Sequence, residues 1–211
     1  MRSLRLPPRR PADPLPRHAF PGLGDAHAAC ARRLCRASDL PRRKCRATHE
    51  GLQPFRRRFA EPLAVTLHAV AQAPVYGSRV LIIGAGPIGT LLVLAARFAG
   101  AREIVVTDVQ DKPLDYAAKA GADRTINVAR HADGMNVYAA GKGYFDVIFE
   151  AAGQGATVAS ALHFIKPRGT LVTVGQGATT ELSVSMIVTK EIALKGSFRF
   201  DTEFALAVDL I

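Results

Sequence analysis

Cysteine is scarce in this chain: Cys30, Cys35 and Cys45 are the only three, and none follows them. Their number is odd, and their C-x4-C-x9-C spacing matches no common zinc pattern. They read as incidental free thiols of a reducing compartment. Long apolar runs are missing too. No stretch of about 18 apolar residues exists, so no membrane-spanning helix is expected. The opening MRSLRLPPRRPADPLPRHAF has basic residues but no apolar core, so a secretory signal is not expected. Eight prolines in residues 1–59 speak against the amphipathic helix of an organelle transit peptide. A cytoplasmic location is expected.

Residues 1–59 also have no Val, Ile, Asn, Tyr or Trp and few acids: 15 Lys+Arg stand against 4 Asp+Glu. The overall formal charge of +10 therefore belongs to this quarter of the chain, and the remainder is close to neutral. Apolar residues recur there with neither a helical nor a strand period. The segment reads as an irregular, disordered basic tail, not a folded domain. Its Arg, Pro, Ala, Gly and Leu excess fits still better GC-rich DNA translated in a wrong frame, the favoured reading of the three. A phosphate-neutralising arm is a third reading, but only Phe20, Phe55 and Phe59 offer rings for base stacking. Nucleic acid is not an expected partner.

From residue 60 onward the pattern becomes regular. RVLIIG (79–84), EIVVTD (103–108), RTINV (124–128), YFDVIFEAAG (144–153), GTLVTVG (169–175) and EIALKGSF (191–198) read as strands. Helical segments alternate with them at about 88–99, 111–120 and 156–165, and a last helix starts near Asp201. Short apolar strands alternating with helices imply an α/β protein, a doubly wound, parallel, six-stranded Rossmann-type sheet over residues 60–211.

Inside that pattern GAGPIG places Gly84, Gly86 and Gly89 between a strand and a helix, the context in which G-x-G-x-x-G reads as a dinucleotide fingerprint. Gly84 serves the tight turn, Gly86 the close approach of a pyrophosphate, and Gly89 helix-on-strand packing. Pro87 suits the first helical turn, and Ile88 follows it. Asp108, 19 residues after Gly89, is placed to accept hydrogen bonds from the ribose hydroxyls of NAD and to repel the 2′-phosphate of NADP. Lys112 nearby softens that discrimination, so NAD is the expected cofactor and NADP is not excluded.

EPLAVTLHA, GAGPIG, EIVVTD, GYFDVIFEAAG and KEIALKGSFRF, in this order, resemble the medium-chain zinc alcohol and polyol dehydrogenases. The resemblance covers residues 59–211 and implies oxidation of a polyol or sugar acid. In the family, zinc activates the hydroxyl and NAD takes the hydride. It implies that Val174, Gly175, Gln176, Phe198 and Arg199 line the nicotinamide side, that Arg199 also meets substrate, and that Glu61 lies near the catalytic zinc. Glu61 has an equally good local reading, as an acid at the start of a helix next to Pro62. His68 reads as a packing or surface residue. The family's GHE segment and four-cysteine lobe have no match here, so the zinc ligands are expected to be missing and the chain alone to lack turnover. Pro113 stands where polyol dehydrogenases commonly carry an arginine. Homo-oligomerisation through the cofactor domain is also implied. A non-catalytic dinucleotide-binding module or subunit is the rival reading.

Overall fold

The computed structural model describes residues 58–177 and 179–211. The disordered tail and the free thiols expected within residues 1–57 lie outside the described residues. The described chain opens with helix α1 (Ala60–Ala71), then β1 (Arg79–Ile83), α2 (Pro87–Phe98), β2 (Glu103–Asp108), α3 (Asp111–Lys119) and β3 (Arg124–Asn127). A short 3-10 turn (Ala132–Met135) runs into α4 (Asn136–Ala139). Then come β4 (Phe145–Glu150), α5 (Gly155–Phe164), β5 (Ile165–Thr173), α6 (Val184–Thr189), β6 (Ala193–Gly196) and α7 (Glu203–Leu210).

The six strands form one parallel sheet in the order β3-β2-β1-β4-β5-β6. This is the expected doubly wound α/β arrangement. Its centre is covered on both faces, which is why β1 reads as an unbroken apolar run instead of alternating. Val80, Ile82, Ile104, Val106, Val147 and Phe149 pack with Leu92 and Ala96 of α2 and Leu67 of α1. Leu81, Ile83, Val105, Phe145, Ile148 and Leu171 pack on the other face with Ala161 and Leu162 of α5. Phe145 and Val147 lie two positions apart yet face opposite cores. The register with β5 shifts between them, and that irregularity reverses the alternation.

Helix α1 buries Leu63, Ala64, Leu67 and Val70, a three-and-four spacing that forms one apolar stripe. It packs on α2 and α7. His68 Nδ1 lies 2.9 Å from Glu203 Oε1 and its Nε2 lies 3.3 Å from Gln72 Nε2, so this histidine ties α1 to α7.

Several boundaries depart from the sequence reading. The fifth strand begins at Ile165, directly after α5, not at Gly169, because Ile165 pairs with Phe145 across the exposed Lys166–Pro167–Arg168 segment. The fourth strand ends at Glu150, since the Ala152 and Gly153 N–H groups turn back to that residue's side chain. The sixth is confined to Ala193–Gly196. The turn and helix at residues 132–139 and helix α6 carry no sequence period and were not anticipated.

Candidate cofactor site

The strand order reverses between β1 and β4, and a crevice opens there at the carboxyl ends of the strands. The chain leaves β1 through Gly84, whose N–H donates to Thr107 O at 2.8 Å and whose φ is +98°. A Cβ on Gly84 would stand 2.8 Å from the Ala152 nitrogen, so the exits of β1 and β4 touch there. Gly89 is required for a different reason: a Cβ would lie 1.8 Å from Gly84 O, inside the turn itself. Gly86 is different again, because a Cβ there would meet nothing within 4 Å. Its missing side chain leaves open space at the start of α2, as a cradle for a ligand does.

Helix α2 begins with Pro87 at its first position, and Gly86 offers no side-chain cap. The N–H groups of Ile88 and Gly89 therefore lack intrahelical acceptors, and with the helix dipole they form a positive end suited to an anion. Asp108 closes β2 beside this turn. Its Oδ2 accepts from Ala85 N at 2.7 Å and its Oδ1 from Gln110 N at 2.9 Å. Each carboxylate oxygen retains a further acceptor site. Pro113 lies on α3 and, with Phe59, Pro62 and Tyr116, lines an apolar groove that reaches Gly86 and Pro87.

At the other half of the crevice Val174, Gly175 and Gln176 leave β5. The Val174 and Gly175 N–H groups both donate to Glu150 O, at 2.8 and 3.0 Å. A Cβ on Gly175 would stand 2.4 Å from Gly153 N, so the exits of β4 and β5 are in backbone contact. Ser197 N donates to Thr173 O at 2.9 Å and brings the exit of β6 alongside. Phe198 is 60% exposed there, and the Arg199 guanidinium carbon lies 5.2 Å from its ring centroid. Arg199 has φ +56°, a left-handed conformation costly for a residue with a side chain. Thus Gly84, Gly86, Asp108, Val174, Gly175, Gln176, Phe198 and Arg199 sit at carboxyl ends of strands or on the turns leaving them, and Pro87, Ile88 and Gly89 form the first turn of the helix that follows β1.

Glu61 is placed apart, exposed in the first turn of α1, and its carboxylate is hydrogen-bonded to no other described residue. Among the described residues no three His, Cys, Asp or Glu side chains come together to hold a metal ion. Sequence reasoning missed Glu150 as a site residue. It is wholly buried at the end of β4 with Oε2 unpartnered among the described residues. Its signal was present, an acid closing the apolar run YFDVIFE.

A parallel sheet with a glycine turn, an uncapped helix start and an acid at the next strand end defines a dinucleotide-binding type of α/β unit. The family model "Zinc-binding dehydrogenase" matches residues 87–211, and the chain belongs to that family. It is 46% identical over 152 residues to L-idonate 5-dehydrogenase (NAD(P)(+)) of Escherichia coli K12, an alignment covering 71% of this chain and 44% of that protein. The crystal structure of the E. coli L-idonate 5-dehydrogenase superposes with a TM-score of 0.75 at 42% identity, covering 79% of this chain and 48% of the other. A protein of Sinorhizobium meliloti 1021, described as a zinc-binding dehydrogenase and solved bound to NADP, gives 0.73 at 32% identity, covering 81% and 52%. The chain spans about half the length of the curated relatives it matches.

Proposed function

We propose that residues 60–211 are the cofactor-binding part of an NAD(P)-dependent oxidoreductase of the L-idonate 5-dehydrogenase type, acting on a polyol or sugar acid. The observation that carries this reading is the division of labour among three glycines at the sheet's switch point. Gly84 turns the chain, Gly89 admits the helix, and Gly86 alone leaves ligand space. In this reading the N–H groups of Ile88 and Gly89 hold the pyrophosphate behind Pro87, and Asp108 takes the ribose hydroxyls. Val174, Gly175, Gln176, Phe198 and Arg199 flank the nicotinamide. Bound NAD would supply the acceptor for hydride from the carbinol carbon. Arg199 and Glu61 are assigned to the substrate side. NAD is the preferred cofactor, and NADP is accepted, as the name of the E. coli relative supports.

The described residues do not fit a zinc site. The further proposal is that the chain by itself binds cofactor without turnover. The second reading is a binding module or subunit without chemistry of its own. No helix among the described residues is long and apolar enough to cross a membrane, and a cytoplasmic location is proposed. All four residues of edge strand β6 are exposed, and Leu194 and Val188 show apolar side chains beside it. These features support a homo-oligomer formed through the sheet edge, which L194E would reduce to a smaller species by light scattering.

Fluorescence titration with NADH, followed by zinc-supplemented assays with L-idonate and NAD, tests the reading. Saturable NADH binding with negligible oxidation is expected. A chain that does not bind NADH refutes the cofactor assignment, and turnover at ordinary enzyme rates refutes the proposal of inactivity.

A further inference from the structure

We infer that Glu150 is a positioning residue that sets the β5 exit loop against the nicotinamide half of the cofactor. The inference rests on the cofactor reading of that loop. Glu150 is fully buried in the middle of the sheet, at the carboxyl end of β4. A buried carboxylate is costly unless its oxygens are paired. Here the pairing is lopsided. Oε1 receives the N–H groups of Ala152 at 3.0 Å and Gly153 at 2.9 Å, and lies 2.8 Å from Thr157 Oγ1. The Thr157 hydroxyl also lies 2.5 Å from Gln154 O, so its single proton is shared between two acceptors. Oε2 has no partner among the described residues. Among the described residues no lysine, arginine or histidine is paired with either oxygen.

The unused oxygen has a definite neighbour. A Cβ on Gly175 would stand 3.0 Å from Oε2 and 2.4 Å from Gly153 N. The main-chain oxygen of the same glutamate holds the N–H groups of Val174 and Gly175. One residue therefore grips the β4 exit with Oε1, the β5 exit with its carbonyl, and bounds Gly175 with Oε2. All of this borders a cavity of about 350 Å³ lined also by Thr173, Gly177 and Lys195. The β5 exit, Val174–Gln176, is thus held from beneath by Glu150, while its other side lies at the crevice.

Glu150→Gln isolates this role. The donors gathered at Oε1 require that the amide oxygen stay there, so the β4 exit keeps its hydrogen bonds. The amide nitrogen, with two hydrogens, must then replace Oε2 against Gly175. The local change falls on the β5 exit and spares the glycine turn and Asp108. ADP-ribose has the adenosine, pyrophosphate and second ribose of NADH but no nicotinamide, so it reads everything except the segment in question.

The experiment compares Kd for NADH and for ADP-ribose in the full chain and in E150Q. We expect NADH to weaken about tenfold, equivalent to about 1.4 kcal/mol, with ADP-ribose changed less than about twofold. Equal losses for the two ligands mean that Glu150 only supports the fold, and no loss means that it positions nothing; either overturns the inference. Should E150Q fail to fold, Thr157→Val is the milder variant. It loosens the carboxylate but leaves the Ala152 and Gly153 N–H groups paired, and it should weaken NADH selectively by about threefold, on the order of one weakened neutral hydrogen bond. Parallel or absent effects in T157V overturn the inference in the same way. A wild-type chain that binds neither ligand refutes the cofactor reading itself, and that outcome is distinct from wild type and E150Q binding NADH alike.

Discussion

Asp108 Oδ2 accepts a hydrogen bond from the main-chain N–H of Ala85 at 2.7 Å, so the acid assigned to the ribose also holds the glycine turn. Ala85 is buried. The two tasks are compatible because a carboxylate offers about four acceptor positions. Holding the turn leaves the outward lone pairs for a ligand and fixes their direction before it arrives.

Asp108→Ala should accordingly show two losses. Leaving the Ala85 N–H unpaired costs about 1–3 kcal/mol. For a domain of this size each kcal/mol lowers the Tm by about 2–4 °C. NADH affinity should fall at least about tenfold, the scale of a lost charge-assisted hydrogen bond. Calorimetry and fluorescence titration measure the two effects separately. An unchanged Tm would show that the turn does not depend on Asp108.

The glycines predict a contrast within one motif. Gly89→Ala places a Cβ 1.8 Å from Gly84 O, which the turn cannot absorb without shifting. It should cost about 1–3 kcal/mol, the range for overpacked sites. Gly86→Ala meets no protein atom within 4 Å and keeps a negative φ of −59°. Its stability should stay within about 1 kcal/mol of wild type, the size of ordinary Gly-to-Ala backbone effects, while NADH binding is lost. If G86A binds NADH normally, the open space is not the cofactor's.

Much of this was legible in the residues, for physical reasons that can be named. RVLII and EIVVTD advertise buried parallel strands because both faces are covered, and GAGPIG is readable because each glycine answers a separate steric demand. Ile165–Arg168 was not readable as part of a strand: Lys, Pro and Arg in succession have the composition of a turn, Arg168 has φ +62°, and only the pairing of Ile165 with Phe145 places the strand's start before them. Helix α6 buries no residue fully, so it imprints no period. Glu150 was visible as an acid in an apolar run, but its grip on two loops depends on β5 lying beside β4. That juxtaposition is a matter of tertiary structure.

Acid should weaken the fold through two carboxylates. Burial pushes Glu203 upward, but hydrogen bonds from His68 and from the Asp201 N–H outweigh it, and the net shift is below the ordinary 4.5. Burial likewise opposes, and Lys166 with the Arg79 N–H outweighs it, at Asp146, which falls below 3.8. The unfolded chain therefore takes up these protons first. Their stabilisation is complete above about pH 4.5 and is lost as the pH falls through the lowered folded values. E203Q and D146N should each flatten the acid limb of a Tm-against-pH curve. Lys190 has the same sign in a different window: burial lowers its pKa from 10.5, so stability rises with pH from the lowered folded value up to 10.5, as the partly buried ammonium gives up its proton before the unfolded chain does.

Arg199 separates strain from function. At φ +56° its Cβ sits in a conformation that costs a non-glycine residue about 1–2 kcal/mol. Arg199→Gly and Arg199→Ala both remove the guanidinium, but only glycine relieves the backbone. If the side chain faces the nicotinamide and substrate as proposed, the two variants should lose NADH affinity to the same extent. Their stabilities should differ, with R199G more stable than R199A by about 1 kcal/mol, since alanine keeps the Cβ clash. Equal stability would mean that the turn relaxes freely around residue 199. Undiminished NADH binding in both would remove Arg199 from the site and leave its strained turn as a feature of the β6 exit alone, because a side chain that touches the cofactor cannot be deleted twice without consequence.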